Sequence, residues 1–534
     1  MSATPSTSVG RGRIGAGTIL WWVVLATVVV ANLAVLVPAF TTVRLWEDEA
    51  FNLTVPLNLL RGLGYTSDGT LSGSELTPFD VRISTGPVLL LPVAALIGLG
   101  VDTVIAGRLV GLAGYLLLIG SLWIIGRRFG GRWAGLVAAA LPLAFASDRL
   151  PSPIQTPVDV LGEVATAGLL AAALAVLHRR PWLAGLFVGL AMQTKFIAVL
   201  ALPAFALAAL FDAPGATLVG RARRAMPRVI AAAACAAAPT VAFELVKLFA
   251  LGPAGWVVNL REFVWFVRGG GQRGYAIPPI EKLHALLDAW HLPPWLVAVV
   301  LVAGVALAVI GLLAVRRDPR LLADPGGATA TPREFAVVSG AALLGLTIFL
   351  IWWPLSMHTP TWLRHPAPAV LAFAPVLVAA TLTLARVAFA SAGRRVPVET
   401  PTVVGEGTAP AGWRAGRSRR LAAATVGALG VGLLLVSLGG RVALPGYGDW
   451  ETLADQRAAA RDIAELRGDL GADRLASPWG GEVSVVVLSG AHAALVDAGA
   501  VVVGDPQVWH ESHRPETCES LLLSGRYRVC APPE

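Results

Sequence analysis

Residues 18–40 read TILWWVVLATVVVANLAVLVPAF, an apolar run without a charged side chain. A helix needs about 20 apolar residues to cross the hydrocarbon core of a bilayer, so this run predicts a transmembrane helix. Arg11 and Arg13 precede it, as basic residues precede the apolar part of a signal peptide. The run exceeds the roughly 7–15 residues of such a segment, and no small-residue cleavage site follows. We therefore expect a retained first span.

The rest of the chain repeats this apolar pattern. Of its 534 residues, 55% are hydrophobic and 14% are charged, whereas a soluble protein carries about 25% charged residues. With the first run, the predicted spans number about eleven, and the predicted fold class is an all-α polytopic membrane protein. The further spans are 104–126, 133–147, 158–177, 182–197, 197–211, 229–251, 294–315, 335–353, 366–387 and 421–440.

The net charge of +8 is unevenly distributed. Residues 441–534 carry a balance of −6, and the preceding 440 residues carry +14 in short arginine clusters between the spans. Such clusters mark the cytosolic side of a membrane protein, so membrane lipids rather than nucleic acid are the expected partners. The pattern predicts a multi-pass protein of a bacterial cytoplasmic membrane, with a cytosolic N-terminus.

Residues 86–100 decide how the later loops alternate. This apolar run of about 15 residues is marginal for crossing a bilayer. If it crossed, the clusters Arg127-Arg128 and Arg179-Arg180 would lie outside, against the charge rule. We therefore predict a helix that lies at the outer interface.

Two domains follow from this topology. Residues 1–440 form the membrane domain, with a first outer loop at 44–103 and a flexible cytosolic loop, rich in Arg, Pro, Thr and Gly, at 390–420. Residues 441–534 are predicted to form a small extracytoplasmic α/β domain, with a helix at 455–470 and strands at 483–488 and 500–503. In an oxidising compartment Cys518 and Cys530, which are 12 residues apart, are expected to pair.

The sequence WEDEAFN, residues 46–52, follows the first span directly. Three consecutive carboxylates, Glu47, Asp48 and Glu49, fit either a solvated loop start or a general base with an orienting neighbour. A carboxylate at this place suits glycosyl transfer, because it can remove the proton of an acceptor hydroxyl during attack. It also stabilises an oxocarbenium-like centre.

Further segments occur in a recognisable order. They are DEAF (48–51), NLLRGLGY (58–65), TGP (85–87), RRFGGR (127–132), GLFVGLAMQTK (185–195) and RHPAP (364–368), with Arg108 in the second span. In this order they resemble the GT-C glycosyltransferases, and most of all the branch that holds the protein O-mannosyltransferases and the lipid A aminoarabinose transferase. The resemblance covers residues 1 to about 390. The chain departs from the family pattern at residues 84–87 and at His365, which replaces a tyrosine.

The resemblance implies catalytic roles for three carboxylates. Asp48 would be the general base and Glu49 its neighbour. Asp148, at the outer end of the third span, would be a second carboxylate near the site. The alternative for Asp148 is an interfacial ion pair with Arg149.

Basic residues are the candidates for substrate binding. Lys195 would neutralise the phosphate of the lipid carrier, unless it extends to the lipid headgroups, and Arg364 offers the planar guanidinium suited to phosphate. The loop at 252–293 is either an interfacial aromatic belt or a mobile flap over phosphate. The full set of predicted substrate-binding residues is Arg82, Lys195, Arg268, Arg273, Arg364 and His365.

The predicted function is an inverting transfer of sugar from a polyprenyl-phosphate-linked donor to the hydroxyl of a glycan, lipid or protein acceptor at the outer face of the membrane. No cofactor is expected, a divalent cation is not expected, and the histidines show no metal-ligand spacing. One alternative is a transporter or lipid-linked glycan flippase, which would explain a buried Glu244 and Lys247; these two residues either pair with each other or line the cavity of the lipid-linked substrate. The other is an envelope scaffold without catalytic activity.

Overall fold

The structure, a computed structural model, describes residues 16–69, 75–147, 154–215, 217–268, 277–322, 328–356, 361–393, 411–444, 451–496 and 504–532. It is mostly helical. The helices are α1 Ala16–Thr41, α2 Glu47–Leu60, α3 Pro87–Gly98, α4 Thr103–Ala144, α5 Glu163–Val176, α6 Pro181–Thr194, α7 Leu202–Phe211, α8 Leu218–Arg268, α9 Pro279–Asp288, α10 Pro294–Arg317, α11 Pro332–Leu355, α12 Ala367–Gly393, α13 Ala411–Ala443, α14 Leu453–Leu470 and α15 Gly481–Leu488.

Helix α4 reverses its direction at a pair of glycines. Gly130 and Gly131 depart from helical geometry, and Gly131 has a φ of 73°, which glycine adopts without strain. The two arms then pack closely, since a Cβ on Gly126 would lie 2.6 Å from the carbonyl oxygen of Ala134. The spans predicted at 104–126 and 133–147 are these two arms.

Helix α8 reverses in the same way at Gly252, which has a φ of 68°. Across the reversal, Lys247 Nζ donates to Asn259 Oδ1 at 2.9 Å, although 12 residues of straight helix would span about 18 Å. Lys247 also pairs with Glu244 at 2.7 Å. The pairing alternative for these two residues is therefore confirmed.

The predicted number of spans exceeds the number of long apolar helices. Within the described residues, six helices are long and apolar enough to cross a membrane: α1, α4, α8, α10, α11 and α12. Several predicted spans are shorter apolar helices, so the count of about eleven stays a prediction. Helix α3 has 12 residues, about 18 Å of helix, which is too short to cross a core of about 30 Å.

Helix α11 connects two chemically different ends of the bundle. Glu334 in its first turn lies 3.4 Å from Arg128 and 3.6 Å from Arg179, so the two arginine clusters lie at one end. Its 24 residues extend about 36 Å, and its other end lies beside Arg364 and His365 through the Trp352–His365 ring contact. The acidic first loop and the C-terminal domain are also at this second end, which we call the site end.

Three predicted segments need correction. The region 252–293 is not a loop throughout, because α8 continues to Arg268 and α9 follows. Within the region 390–420, α12 extends to Gly393 and α13 begins at Ala411, and the residues between them lie outside the described residues. Residues 483–488, predicted as a strand, belong to α15, whose valines are buried between α2, α14 and the sheet of the C-terminal domain. The strand predicted at 500–503 lies outside the described residues.

The C-terminal domain is a small α/β sheet domain. Its strands are β3 Arg474–Ser477, β4 His492–Leu495, β5 Gln507–His510, β6 Ser520–Ser524 and β7 Tyr527–Cys530, whereas β1 Thr66–Ser67 and β2 Thr77–Pro78 form a hairpin in the first loop. The order is β4-β3-β5-β7-β6, with β3 parallel to β4 and β5 and the remaining pairs antiparallel. Helix α14 confirms the helix predicted at 455–470, and Cys518 and Cys530 form the predicted disulfide.

Candidate active site

Helix α2 begins with the acidic cluster that the sequence singles out. Glu47, Asp48 and Glu49 occupy its first turn, where the positive end of the helix dipole favours negative charge. Glu49 also accepts the backbone N–H of Trp46 at 3.1 Å, which satisfies one donor at the helix start. Because successive residues of a helix point about 100° apart, the three carboxylates face different neighbours.

Glu49 is buried, and both of its carboxylate oxygens have partners. Its Oε1 accepts the backbone N–H of Val160 at 3.1 Å, and its Oε2 lies 3.4 Å from Nη2 of Arg108. Arg108 is 0% exposed, and its guanidinium also donates to the carbonyl oxygens of Ala39, Val43 and Arg44. Glu49 therefore ties α2 to α4 and to the loop before α5, and its catalytic role stays a prediction.

Asp48 is the accessible carboxylate of the three, with a side chain 22% exposed. Its Oδ2 lies 2.7 Å from Nη1 of Arg364 and accepts the indole N–H of Trp46 at 3.3 Å. The Arg364 guanidinium lies 4.4 Å above the Trp362 ring, an arrangement that holds its plane. The structure thus brings together the predicted base and a predicted phosphate ligand.

Lys195 directly follows α6 and lies near Asp48 and Arg364. Its Nζ donates to Glu163 Oε1 at 2.5 Å and to the Leu161 carbonyl oxygen at 2.8 Å. The residue is 7% exposed, so the alternative in which it extends to the headgroups is wrong. Its ammonium is close enough to Arg364 and Asp48 for their charges to act on it.

His365 is surrounded by positive charge. The charges of Arg364, Lys195 and Lys282 all act on its ring, and its buried Nδ1 has no hydrogen-bond partner among the described residues. Lys282, on α9, is 0% exposed and donates to the carbonyl oxygens of Trp353 and Ser356 at the end of α11, at 2.8 and 2.9 Å. The sequence analysis missed Lys282, which lies on an amphipathic helix where a solvated lysine is the usual expectation.

The first loop closes against α6 at Thr85 and Gly86. Thr85 forms an isolated antiparallel bridge with Lys195, and the Gly86 N–H donates to the Thr194 carbonyl oxygen at 2.9 Å. A Cβ on Gly86 would lie 2.1 Å from the carbonyl oxygen of Gln193. Only glycine therefore fits at this position.

The other predicted substrate-binding residues lie elsewhere or outside the described residues. Arg82 is half-buried, and its charge acts on Asp80. Arg268 is exposed at the end of α8. Arg273 and the predicted catalytic Asp148 lie outside the described residues, so their roles stay predictions.

Asp159 is a carboxylate that the sequence analysis missed. It is half-buried. The N–H and hydroxyl of Thr156 donate to it, and the Glu49 charge is close enough to act on it. Asp159 and Glu163 fall at the start of the apolar run 158–177, and an acidic residue within a predicted span is itself a signal of a functional site.

Glu47 faces the C-terminal domain. Its Oε2 lies 3.2 Å from Nη2 of Arg44, and Nη1 of the same arginine lies 3.7 Å from Oε1 of Glu451. Burial raises the pKa of Glu47 to about 7, although the Arg44 charge opposes this shift. Glu47 therefore titrates near neutral pH, one residue away from Asp48.

The described residues contain no group of three or more His, Cys, Asp or Glu side chains placed to hold a metal ion. The expectation that the site needs no divalent cation stays a prediction.

Comparison with known proteins shows the fold of the chain. No family model and no curated protein matches it. ArnT from Cupriavidus metallidurans bound to undecaprenyl phosphate is 14% identical, with a TM-score of 0.54 over 96% of this chain and 98% of ArnT. The apo state of ArnT gives 14% identity and a TM-score of 0.52 over the same shares. The oligosaccharyltransferase AglB from Archaeoglobus fulgidus, in complex with an inhibitory peptide and a dolichol-phosphate, gives 12% and 0.44 over 88% of this chain and 64% of AglB. The likeness to ArnT shows that the chain has the GT-C fold that its motifs predict.

Proposed function

We propose that this protein transfers a sugar from a polyprenyl-phosphate-linked donor to the hydroxyl of an acceptor, with inversion at the anomeric carbon. The observation that carries the proposal is the meeting of three side chains. Asp48, a partly exposed carboxylate, lies 2.7 Å from Arg364, and the Lys195 ammonium is within electrostatic reach of both. A base and two phosphate-binding cations in one place are the groups that this reaction needs.

The proposed chemistry is a single displacement. Asp48 takes the proton of the acceptor hydroxyl while the hydroxyl oxygen forms a bond to the anomeric carbon of the donor sugar. The bond between that carbon and the phosphate oxygen breaks, and its electron pair leaves with the polyprenyl phosphate. Arg364 and Lys195 stabilise the negative charge that grows on the phosphate. Attack from the face opposite the leaving phosphate inverts the configuration.

The placement of the site supports a lipid-linked donor. Asp48 follows the apolar α1 by only a few residues, so a carrier phosphate at the membrane surface would lie at its height. ArnT, whose fold the chain shares, was crystallised with undecaprenyl phosphate. We propose a bacterial cytoplasmic membrane location, with the N-terminus in the cytosol and the site end outside, because the arginine clusters lie at the opposite end of α11.

A transfer assay tests the proposal. The purified protein in lipid vesicles is given polyprenyl-phosphate sugars that differ in the sugar, together with glycan, lipid and protein acceptors. Release of polyprenyl phosphate and a glycosylated acceptor, both about 10²–10⁴-fold slower with Asp48→Asn, are the expected results. Donor movement across the vesicle membrane without release of polyprenyl phosphate would refute sugar transfer and favour the flippase alternative.

A further inference from the structure

The C-terminal domain contacts the chain directly before the catalytic segment through one glutamine. Gln456, on α14, accepts the backbone N–H of Leu45 with Oε1 at 2.7 Å and donates from Nε2 to the Leu45 carbonyl oxygen at 3.1 Å. Ser484, on α15, donates to the same carbonyl oxygen at 2.9 Å. Gln456, Ser484 and Leu45 are all 0% exposed. The contact is therefore a fully buried junction.

This junction provides hydrogen-bond partners for backbone groups that lie outside any helix. Leu45 lies in the irregular connection between α1 and α2, where a buried N–H or carbonyl group needs a partner. The Gln456 amide supplies both partners at once, as a neighbouring β-strand would. Because Leu45 is three residues before Asp48, the glutamine holds the chain directly before α2.

The C-terminal domain also contacts the chain directly after the C-terminal end of α2. Arg61, which directly follows α2, donates to the Gly490 carbonyl oxygen at 2.8 Å. Asp68 accepts from His492 Nδ1 at 2.9 Å and from the Ala493 N–H at 2.8 Å. Helix α15 lies along α2 between these two junctions. Contacts at both ends prevent α2 from sliding or tilting on the membrane domain.

We infer that Gln456 is a positioning residue, through which the C-terminal domain holds α2 so that Asp48 meets the reacting hydroxyl; this rests on the proposed function. Asp48 itself is held by a single ion pair and one indole N–H, so the position of its backbone decides its reach. A displacement of about 1 Å at a reacting group can lower the rate about 100-fold. The domain thereby gives the membrane site its geometry.

The test compares two glutamines of the same domain. Gln456→Ala removes both hydrogen bonds to Leu45 and the one to Glu451 within the domain. Gln507→Ala removes only a hydrogen bond within the domain, from the Trp509 indole N–H at 2.9 Å, so it controls for the loss of a bond inside the domain. For Gln456→Ala we expect kcat to fall about 10- to 100-fold, with the donor KM within twofold of the wild-type value. We also expect faster hydrogen–deuterium exchange in residues 45–60. Gln507→Ala should match the wild-type protein in all three measurements.

A second variant separates positioning from loss of folding. The amide of Gln456 has two N–H donors, one to the Leu45 carbonyl oxygen and one to Oε1 of Glu451 at 3.0 Å, whereas a neutral carboxyl has one O–H donor and a carboxylate only accepts. Gln456→Glu should therefore regain activity relative to the wild-type protein as the pH falls, because protonation removes the repulsion between the new carboxylate and Glu451 and restores a donor for the Leu45 carbonyl oxygen. Gln456→Ala should show no such recovery at any pH.

Three results would overturn the inference. They are a wild-type kcat in Gln456→Ala, unchanged hydrogen–deuterium exchange in residues 45–60 of the same variant, and a Gln456→Glu variant whose activity relative to the wild-type protein does not change with pH. If the wild-type protein transfers no sugar from any donor, the proposed function fails. The exchange measurement would then still decide whether Gln456 holds α2, so the two failures are distinguishable.

Discussion

Oδ2 of Asp48 lies 2.7 Å from Nη1 of Arg364, although 316 residues separate them in the sequence. A guanidinium has five N–H donors, so Arg364 can contact Asp48 and a phosphate oxygen together. This pair links the proposed base to the proposed leaving group. A donor phosphate that draws Arg364 towards itself also changes the surroundings of the base.

Replacing Asp48 with asparagine tests the base directly. Asp48→Asn keeps the size of the side chain but cannot take a proton, so kcat should fall about 10²–10⁴-fold. Donor binding should be kept or become tighter, because the carboxylate no longer competes with phosphate for Arg364. Turnover and donor affinity measured on the same preparation check both points.

Asp469→Asn, at an exposed position near the end of α14, is the matched control and should behave as wild type. Wild-type turnover in Asp48→Asn would contradict the assignment of the base and direct the next tests to Asp159 and Asp148.

The Lys195–Glu163 pair predicts a difference between stability and donor use. Lys195→Met leaves the Glu163 carboxylate buried without its 2.5 Å partner, and breaking a buried pair costs about 3–5 kcal/mol. The double variant Lys195→Met/Glu163→Gln removes both charges and should recover most of that stability. Its donor KM should still rise about 10- to 100-fold, since a charged hydrogen bond contributes about 1.5–3 kcal/mol.

Thermal unfolding in detergent and donor kinetics measure the two effects. A double variant with a wild-type donor KM would show that Lys195 serves only the fold.

Glu47 predicts a pH dependence of stability. Its pKa is raised from an ordinary value near 4.5 to about 7, so between these pH values the folded state holds a proton that the unfolded state has lost. Stability should therefore fall as the pH rises from about 4.5 to about 7, by about 3 kcal/mol from this group, and stay constant above. Glu47→Gln should remove this part of the slope in unfolding measured from pH 4 to pH 8.

The exposed Glu516 provides the control, since Glu516→Gln should leave the slope unchanged. An equal slope in Glu47→Gln and wild type would rule out Glu47 as its source.

The Cys518–Cys530 disulfide should stabilise the C-terminal domain. It joins the segment before β6 to the end of β7 across 12 residues, and a loop of this length gives about 3 kcal/mol. Cys518→Ser with Cys530→Ser should lower domain stability by about this amount, as seen by proteolysis of residues 451–532. Labelling of both thiols in denatured, unreduced wild-type protein would contradict the bridge and the predicted oxidising compartment.

Local sequence patterns predicted the long apolar helices. The acidic run at 47–49 favours a helix start through local interactions, which include the hydrogen bond from the Trp46 N–H to Glu49. The two arms of α4 were predicted as separate spans because an arginine cluster at 127–132 interrupts the apolar sequence, and the structure shows that the chain reverses at Gly130 and Gly131 within this cluster. The prediction of a strand at residues 483–488 was wrong, because a short run of valines is compatible with a strand or a buried helix.

Amino-acid sequence alone predicted a membrane protein with the GT-C fold, and it singled out Asp48, Lys195 and Arg364 as candidate site residues. Apolar run length, charge asymmetry and motif order are properties of neighbouring residues, so they are visible without a structure. Tertiary structure decided which charges meet: Arg364 with Asp48, Glu163 with Lys195, and Arg108 with Glu49. Tertiary structure also determined that Gln456 forms hydrogen bonds with the backbone of Leu45, which is 411 residues away in the sequence. A buried charge or backbone group needs a partner, but only the packing of the helices determines which distant residue supplies it.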